Sequence, residues 1–255
     1  MTRPVALVTG ARQGLGRGIA LALADRGFDV AGLDLLADEK SESLLEALAA
    51  KGAKAHFGVM DLADLSAHAP ALEAVEAALG PVDALVNNAG IAARPLTDLL
   101  EIAPEAFDRN LSINLRGTFF LTQAVAKRML ARDSTRYRSI TFIASIAATH
   151  VSTDRSPYCV SKAGLSMVTQ LYADRLGPAG IAVHEIRPGF IRTEMTGSAP
   201  TGKIDAYVES GAVAMKRWGE TADIGRVAAT LAAGDLPYVT GQPIYVDGGY
   251  HIPTA

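Results

Sequence analysis

The chain has 255 residues, with 24 basic and 27 acidic side chains, a formal charge of −3 and 49% apolar residues. Charge so evenly balanced argues against a polyanion or anionic surface as partner, so neither nucleic acid nor membrane is expected to bind. One cysteine, Cys159, leaves no internal disulfide and no multi-cysteine metal site.

The first residues, MTRPVALVTG, enter a strand-like run at once, with neither the apolar segment nor the cleavage pattern of a signal peptide. Apolar runs such as IALALA stop at charges, here Asp25, well short of a membrane span. A cytoplasmic address is expected. Short apolar runs then follow in order: PVALVT (4–9), DVAGL (29–33), KAHFGV (54–59), DALVN (83–87), RSITFIA (138–144), IAVHEI (181–186) and PIYV (243–246). Longer stretches patterned at helical spacing separate them. Strands apolar on both faces and joined by helix-length segments predict an α/β fold of three layers. The expected architecture is a doubly wound parallel sheet of about seven strands with helices on both faces. No linker-like or repetitive tract divides residues 1–255, which are expected to form one domain. Segment 194–219, EMTGSAPTGKIDAYVESGAVAMKRWG, breaks the alternation and reads as a substrate lid. Its bulky Met195, Tyr207, Met215 and Trp218 suit either a partly apolar pocket wall or packing of the lid onto the body.

TGARQGLG (9–16) lies between the first strand and an apolar helix. Glycines at such a turn let backbone N–H groups approach a pyrophosphate and aim the positive end of the helix dipole at it. The candidate cofactor loop is Gly10, Arg12, Gln13, Gly14, Leu15 and Gly16, spaced GxxxGxG rather than GxGxxG. Asp34, 20 residues beyond Gly14, ends the second strand, where a carboxylate accepts hydrogen bonds from adenosine ribose and repels a 2′-phosphate. NAD is therefore the expected cofactor, with NADP possible because Arg12 could offset the repulsion. In SPYCVSKAG (156–164), Tyr158 and Lys162 stand one helical turn apart on one face. A phenol is a poor base at neutral pH, and an ammonium close by is expected to lower its pKa. Cys159 between them reads as a small buried apolar residue. His56, His68, His150, His184 and His251 show no metal-binding spacing, and only His150 is placed to line a substrate pocket.

Read together and in order, TGARQGLG, NNAG (87–90), Asn114 in LSINLRG, Ser145 in FIASIAA, YCVSK (158–162) and RPGFIRT (187–193) resemble the short-chain dehydrogenase/reductase family. The resemblance runs from Val5 to the closing YVDGGY. It implies a Rossmann-like domain that binds a nicotinamide dinucleotide and interconverts an alcohol and a carbonyl, as a homotetramer or homodimer. It also implies a catalytic set of Asn114, Ser145, Tyr158 and Lys162. In that set Tyr158 exchanges the hydroxyl proton, Ser145 holds the substrate oxygen, Lys162 also binds the nicotinamide ribose, and Asn114 holds a water in a proton relay. By the same resemblance, Asp61 and Leu62 contact adenine, and Asn88, Ala89 and Gly90 lie beside the ribose. Pro188 and Gly189 redirect the chain, while Ile191 and Thr193 hold the nicotinamide carboxamide.

The expected reaction is NAD(H)-dependent interconversion of a secondary alcohol and a ketone. A second expectation is NADP(H)-dependent reduction of 3-oxoacyl groups on acyl carrier protein. Against it, Ala179 occupies a position where such reductases often carry a basic residue. Arg132, Arg136 and Arg138 could dock an acidic partner instead, but a solvated face is the favoured reading. A dinucleotide sensor without activity is the alternative from another class, disfavoured because all four catalytic residue types are present. The helix carrying Tyr158 and Lys162 is apolar around more of its circumference than one sheet contact needs, which suggests a homotetramer.

Overall fold

The computed structural model of the chain describes residues 2–194 and 205–253. The strands are β1 (Val5–Thr9), β2 (Asp29–Asp34), β3 (Ala55–Val59), β4 (Val82–Asn87), β5 (Arg138–Ile143), β6 (Ile181–Pro188) and β7 (Pro243–Val246). Among the described residues they form one seven-stranded parallel sheet in the order β3-β2-β1-β4-β5-β6-β7. Each run read as a strand is one, with ends shifted by a residue or two. The helices are α1 (Gly14–Asp25), α2 (Glu39–Ala50), α3 (His68–Leu79), α4 (Pro104–Leu111), α5 (Thr118–Leu130), α6 (Ser156–Leu176) and α7 (Thr221–Ala233).

Two cores explain why the central strands read as unbroken apolar runs. On one face Leu7, Leu85, Ile140, Phe142 and Val183 meet Leu121 and Val125 of α5 and Leu165 and Val168 of α6. On the other, Val8, Val86, Ile143 and Ile186 meet Ile19 and Leu23 of α1 and Ile224 and Ala228 of α7. A side chain taken wholly out of water at these positions stabilises the fold by about 1.5–3 kcal/mol. Glycine lets α1 and α7 approach: a Cβ on Gly225 would lie 2.7 Å from the Gly18 carbonyl oxygen. Strand order reverses between β1 and β4, so their carboxyl ends diverge and open a crevice at the top of the sheet.

The arginines ahead of β5 are not a solvated face. Arg132 and Arg136 donate to opposite oxygens of Asp83, at 2.8 and 3.1 Å, and Asp83 is 1% exposed. Arg136 also holds the Thr2 carbonyl, and Arg138 donates to the carbonyls of Met129 and Ala179. A charge run in sequence becomes a clamp here because β4 starts with a buried carboxylate that needs partners.

Candidate active site

A cleft of about 410 Å³ opens where the crevice lies. Its floor is the turn from β1 into α1. Gly10 and Gly14 have φ of +65° and +55°, which glycine adopts without strain. Gly16 has no room for a side chain: a Cβ there would lie 2.0 Å from the Gly10 carbonyl oxygen. Thr9 and Asn88 brace the turn. Thr9 Oγ1 accepts from the backbone N–H groups of Asn88 and Ala89, both at 3.0 Å, and the Asn88 amide donates to the carbonyls of Thr9 and Gly10 at 3.0 and 3.1 Å. The Asn88 side chain thus fixes the glycine turn from behind while the residue lines the cleft.

Of the predicted site residues, Gly10, Arg12, Gln13, Gly14, Leu15, Asp34, Asp61, Leu62, Asn88, Ala89, Gly90, Ser145, Tyr158, Lys162, Pro188, Gly189, Ile191 and Thr193 all line this cleft. Two stand behind its wall. Gly16 lies under the turn, and Asn114 is buried in a π-helical segment, Ser112–Gly117, between α4 and α5. The Asn114 side chain is fully engaged by protein. Its Oδ1 accepts from Ile91 N–H at 2.8 Å, and its Nδ2 donates to the Ile91 carbonyl and to Asn110 Oδ1, both at 2.9 Å. The amide anchors the loop after β4. The π-helical turn is what brings the Asn114 side chain to that loop.

Ser145 caps a short 3₁₀ turn, Ile146–Ala148, accepting from Ala147 N–H at 3.0 Å. That places its hydroxyl at the mouth of β5, near Tyr158 on the first turn of α6. Lys162, one turn on, is 5% exposed and donates to the Ile143 carbonyl at 2.8 Å, with its Nζ 5.6 Å from the Tyr158 ring centre. The expected net lowering of the Tyr158 pKa is not found. Desolvation pushes the phenol up, against downward pulls from the Ser145 hydroxyl and the Arg155 guanidinium, with Cys159 adding a small upward push. Burial lowers Lys162 to about 8, against an upward pull from Glu185. Desolvation wins at both groups because each head lies in a protein-lined recess, where the charged form of one and the anion of the other lose hydration.

Sequence reasoning missed the residues behind Lys162. Glu185 and Arg187, 1% and 7% exposed, alternate on the face of β6 that meets α6 and pair at 2.6 Å. Ser166, one turn beyond Lys162, donates to Glu185 at 2.7 Å and accepts from Arg187 at 2.9 Å. The signal was present in IAVHEIRP, where two charges interrupt a buried strand. The walls contributed by Leu35, Leu36, Met60, Ile91 and Ile113 were missed as well, since apolar residues just past strand ends or within a helical segment read as core.

His150 does not line the cleft; it stacks on Tyr250, ring centres 4.9 Å apart. Cys159 is half-buried against the carbonyls of His150 and Ser152. Met195 and the rest of 195–204 in the expected lid lie outside the described residues. Its later part packs on the body: Trp218, 7% exposed, clusters with Val208, Val213, Phe190 and Tyr250, and its indole N–H donates to Asp205 at 2.7 Å. Tyr207 and Met215 are exposed.

The residues fit a dinucleotide. The glycine turn presents backbone at the start of α1, Asp34 offers a carboxylate at the rim, and the buried Nε–H of Arg12 has no hydrogen-bond acceptor among the described residues. A family model described as enoyl-(acyl carrier protein) reductase matches residues 10–251. The chain belongs to the short-chain dehydrogenase/reductase family. Among members of this oxidoreductase family, the chain is 34% identical over 247 residues to a 3-oxoacyl-[acyl-carrier-protein] reductase of Staphylococcus epidermidis, covering 97% of this chain and 98% of that one. It is 37% identical to a D-threitol dehydrogenase of Mycolicibacterium smegmatis, covering 97% and 93%. A crystal structure of a 3-oxoacyl-[acyl-carrier protein] reductase from Brucella melitensis in complex with NAD superposes with a TM-score of 0.96 at 46% identity over all of both chains. No helix among the described residues is long and apolar enough to cross a membrane.

Proposed function

We propose that this short-chain dehydrogenase/reductase interconverts a secondary alcohol and a ketone with NAD(H). The observation that carries the reading is the convergence of Ser145, Tyr158 and Lys162 on one wall of the cleft whose floor is the glycine turn. A bound nicotinamide ring supplies the hydride acceptor or donor. In the reductive direction Tyr158, a phenol protonated at neutral pH and kept so by burial, gives its proton to the carbonyl oxygen as negative charge develops there. Ser145 donates a hydrogen bond to the same oxygen and orients the carbon. Lys162 holds positive charge beside the phenol, so that the phenolate left behind is stabilised. In oxidation the same groups run in reverse. Asn114 acts as an anchor for the Ile91 loop, and any relay through it uses the backbone.

Asp34, lining the cleft at the end of β2, supports NAD(H) over NADP(H). The names of the Staphylococcus and Brucella relatives favour a second reading, reduction of 3-oxoacyl groups on a carrier. The arginines that could have met an acidic carrier ahead of β5 are spent on Asp83 and on backbone carbonyls, which favours a small free substrate. A homotetramer is also proposed. Val160, Met167 and Leu171 form an exposed stripe on α6, and Phe120 of α5 lies beside it; a mass of one chain by light scattering would overturn this. A reducing cytoplasm supplied with dinucleotide suits this chemistry.

The test is nicotinamide absorbance with a panel of polyols, hydroxy acids, ketones and 3-oxoacyl thioesters, for the wild type and Tyr158→Phe. Turnover is expected to fall by about 10³-fold in the variant while NADH still binds. Turnover unchanged in Tyr158→Phe would remove the phenol from the mechanism, and silence across the panel with intact NADH binding would favour the sensor.

A further inference from the structure

At the outer rim of the cleft, where β2 ends and α2 begins, Arg12 lies between two carboxylates. Its backbone N–H donates to Asp34 Oδ2 at 3.2 Å, its Nε is 3.8 Å from Asp34 Oδ1, and its terminal nitrogen hydrogen-bonds Asp38 Oδ2. The Arg12 side chain is 14% exposed, so the guanidinium lies along the rim instead of in solvent. Asp38 in turn is fixed by its own helix: Oδ1 accepts from Lys40 N–H at 3.0 Å, and its backbone N–H donates to Ser41 Oγ at 2.9 Å. Neighbouring cations are occupied too. Lys40 Nζ donates to Gln13 Oε1 at 2.7 Å, and Arg17 donates to Ser43 Oγ and the Lys40 carbonyl.

We propose that Asp38 is a cofactor-specificity residue that acts through Arg12, holding the guanidinium away from the place a 2′-phosphate would take. The proposal rests on the NAD(H) reading above. Asp34, Asp38 and Arg12 together carry one net negative charge, and the guanidinium is neutralised within the cluster and not offered to a phosphate at the ribose. Arg12 can turn to meet that phosphate only by giving up Asp38, so the energy of the pair is subtracted from NADP(H) binding and leaves NAD(H) untouched. Asp34 excludes the phosphate directly, and Asp38 removes the cation that would offset the exclusion. A charge four residues beyond the strand thereby settles the ambiguity that Arg12 introduces into the glycine loop.

Asp38→Asn separates this role from helix capping, because asparagine caps as well as aspartate but takes away the ion pair at the terminal nitrogen, leaving only the more distant Asp34 carboxylate beside Nε. Calorimetric titration measures NADH and NADPH, with AMP and adenosine 2′,5′-bisphosphate as probes that isolate the 2′-phosphate. The wild type is expected to favour NADH. In Asp38→Asn the affinity for NADPH and for adenosine 2′,5′-bisphosphate rises about fivefold, the scale of an exposed ion pair, while NADH and AMP stay within about twofold. Adding Arg12→Ala abolishes the gain. Unchanged NADPH affinity in Asp38→Asn, with the wild type still favouring NADH, overturns the latch and leaves the NAD(H) reading standing. A gain that survives Arg12→Ala also overturns it, since the effect is then plain repulsion by Asp38. A wild type that favours NADPH overturns both.

Discussion

At the β1–β4 end of the cleft, position is fixed by backbone: the glycine turn, the carbonyls of Thr9 and Gly10, and the Asn88 amide that grips them. At the β6–β7 end it is fixed by rings. Phe190, between the cleft residues Gly189 and Ile191, makes edge-on contacts with Tyr207, Trp218 and Tyr250 at 5.9, 6.2 and 5.0 Å. A turn gripped at its carbonyls has one geometry, whereas a cluster of rings tolerates exchange and reshaping. The first half therefore suits a ligand that never changes, and the second suits one that differs between relatives.

The contrast breaks first at Gly16. In Gly16→Val the new side chain meets the Gly10 carbonyl, so NADH affinity by titration is expected to fall by more than about 100-fold, with loss of folding stability. At the join of the two halves stands Lys162. Held at about 8, it is charged below that pH and neutral above it. The reductive rate is expected to be steady below about pH 7, to be about halved at pH 8 and to fall about tenfold by pH 9, as the charge beside Tyr158 is lost. Glu185→Gln moves that midpoint lower, because Glu185 pulls the lysine up. Asn88→Ala, which frees two carbonyls of the turn, should weaken NADH by about tenfold. The smallest effect belongs to the ring half: Phe190→Ala raises KM for the carbonyl substrate about fivefold with NADH affinity within about twofold. Equal damage to NADH binding from Phe190→Ala and Asn88→Ala would erase the distinction between the halves.

What the sequence made legible follows the same division. The glycine turn could be read because its residue types are forced: no other side chain fits at Gly16, and none but glycine takes φ of +65° at Gly10 without strain. The sheet could be read because strands buried on both faces have no alternative pattern. Long-range partners could not. Nothing in ARDSTRYRSI announces that two of its arginines meet Asp83, some 50 residues earlier, and nothing in LSINLRG that Asn114 spends its amide on Ile91. His150 was expected in a substrate pocket from its place between Ser145 and Tyr158; nothing in the sequence announces that it stacks on Tyr250, a hundred residues away, outside the lining of the cleft. The direction of the Tyr158 pKa failed for a related reason: spacing announces a cation one turn away but says nothing of how much water the fold removes.

Trp218 is the chain's one tryptophan, hydrogen-bonded to Asp205, with the Arg192 guanidinium 5.1 Å above its ring. Its indole emission therefore comes from a single known spot in the ring cluster with Phe190 and Tyr250. Any movement of that cluster during turnover can be followed optically in the unlabelled wild-type enzyme, with no competing fluorophore of the same kind in the chain.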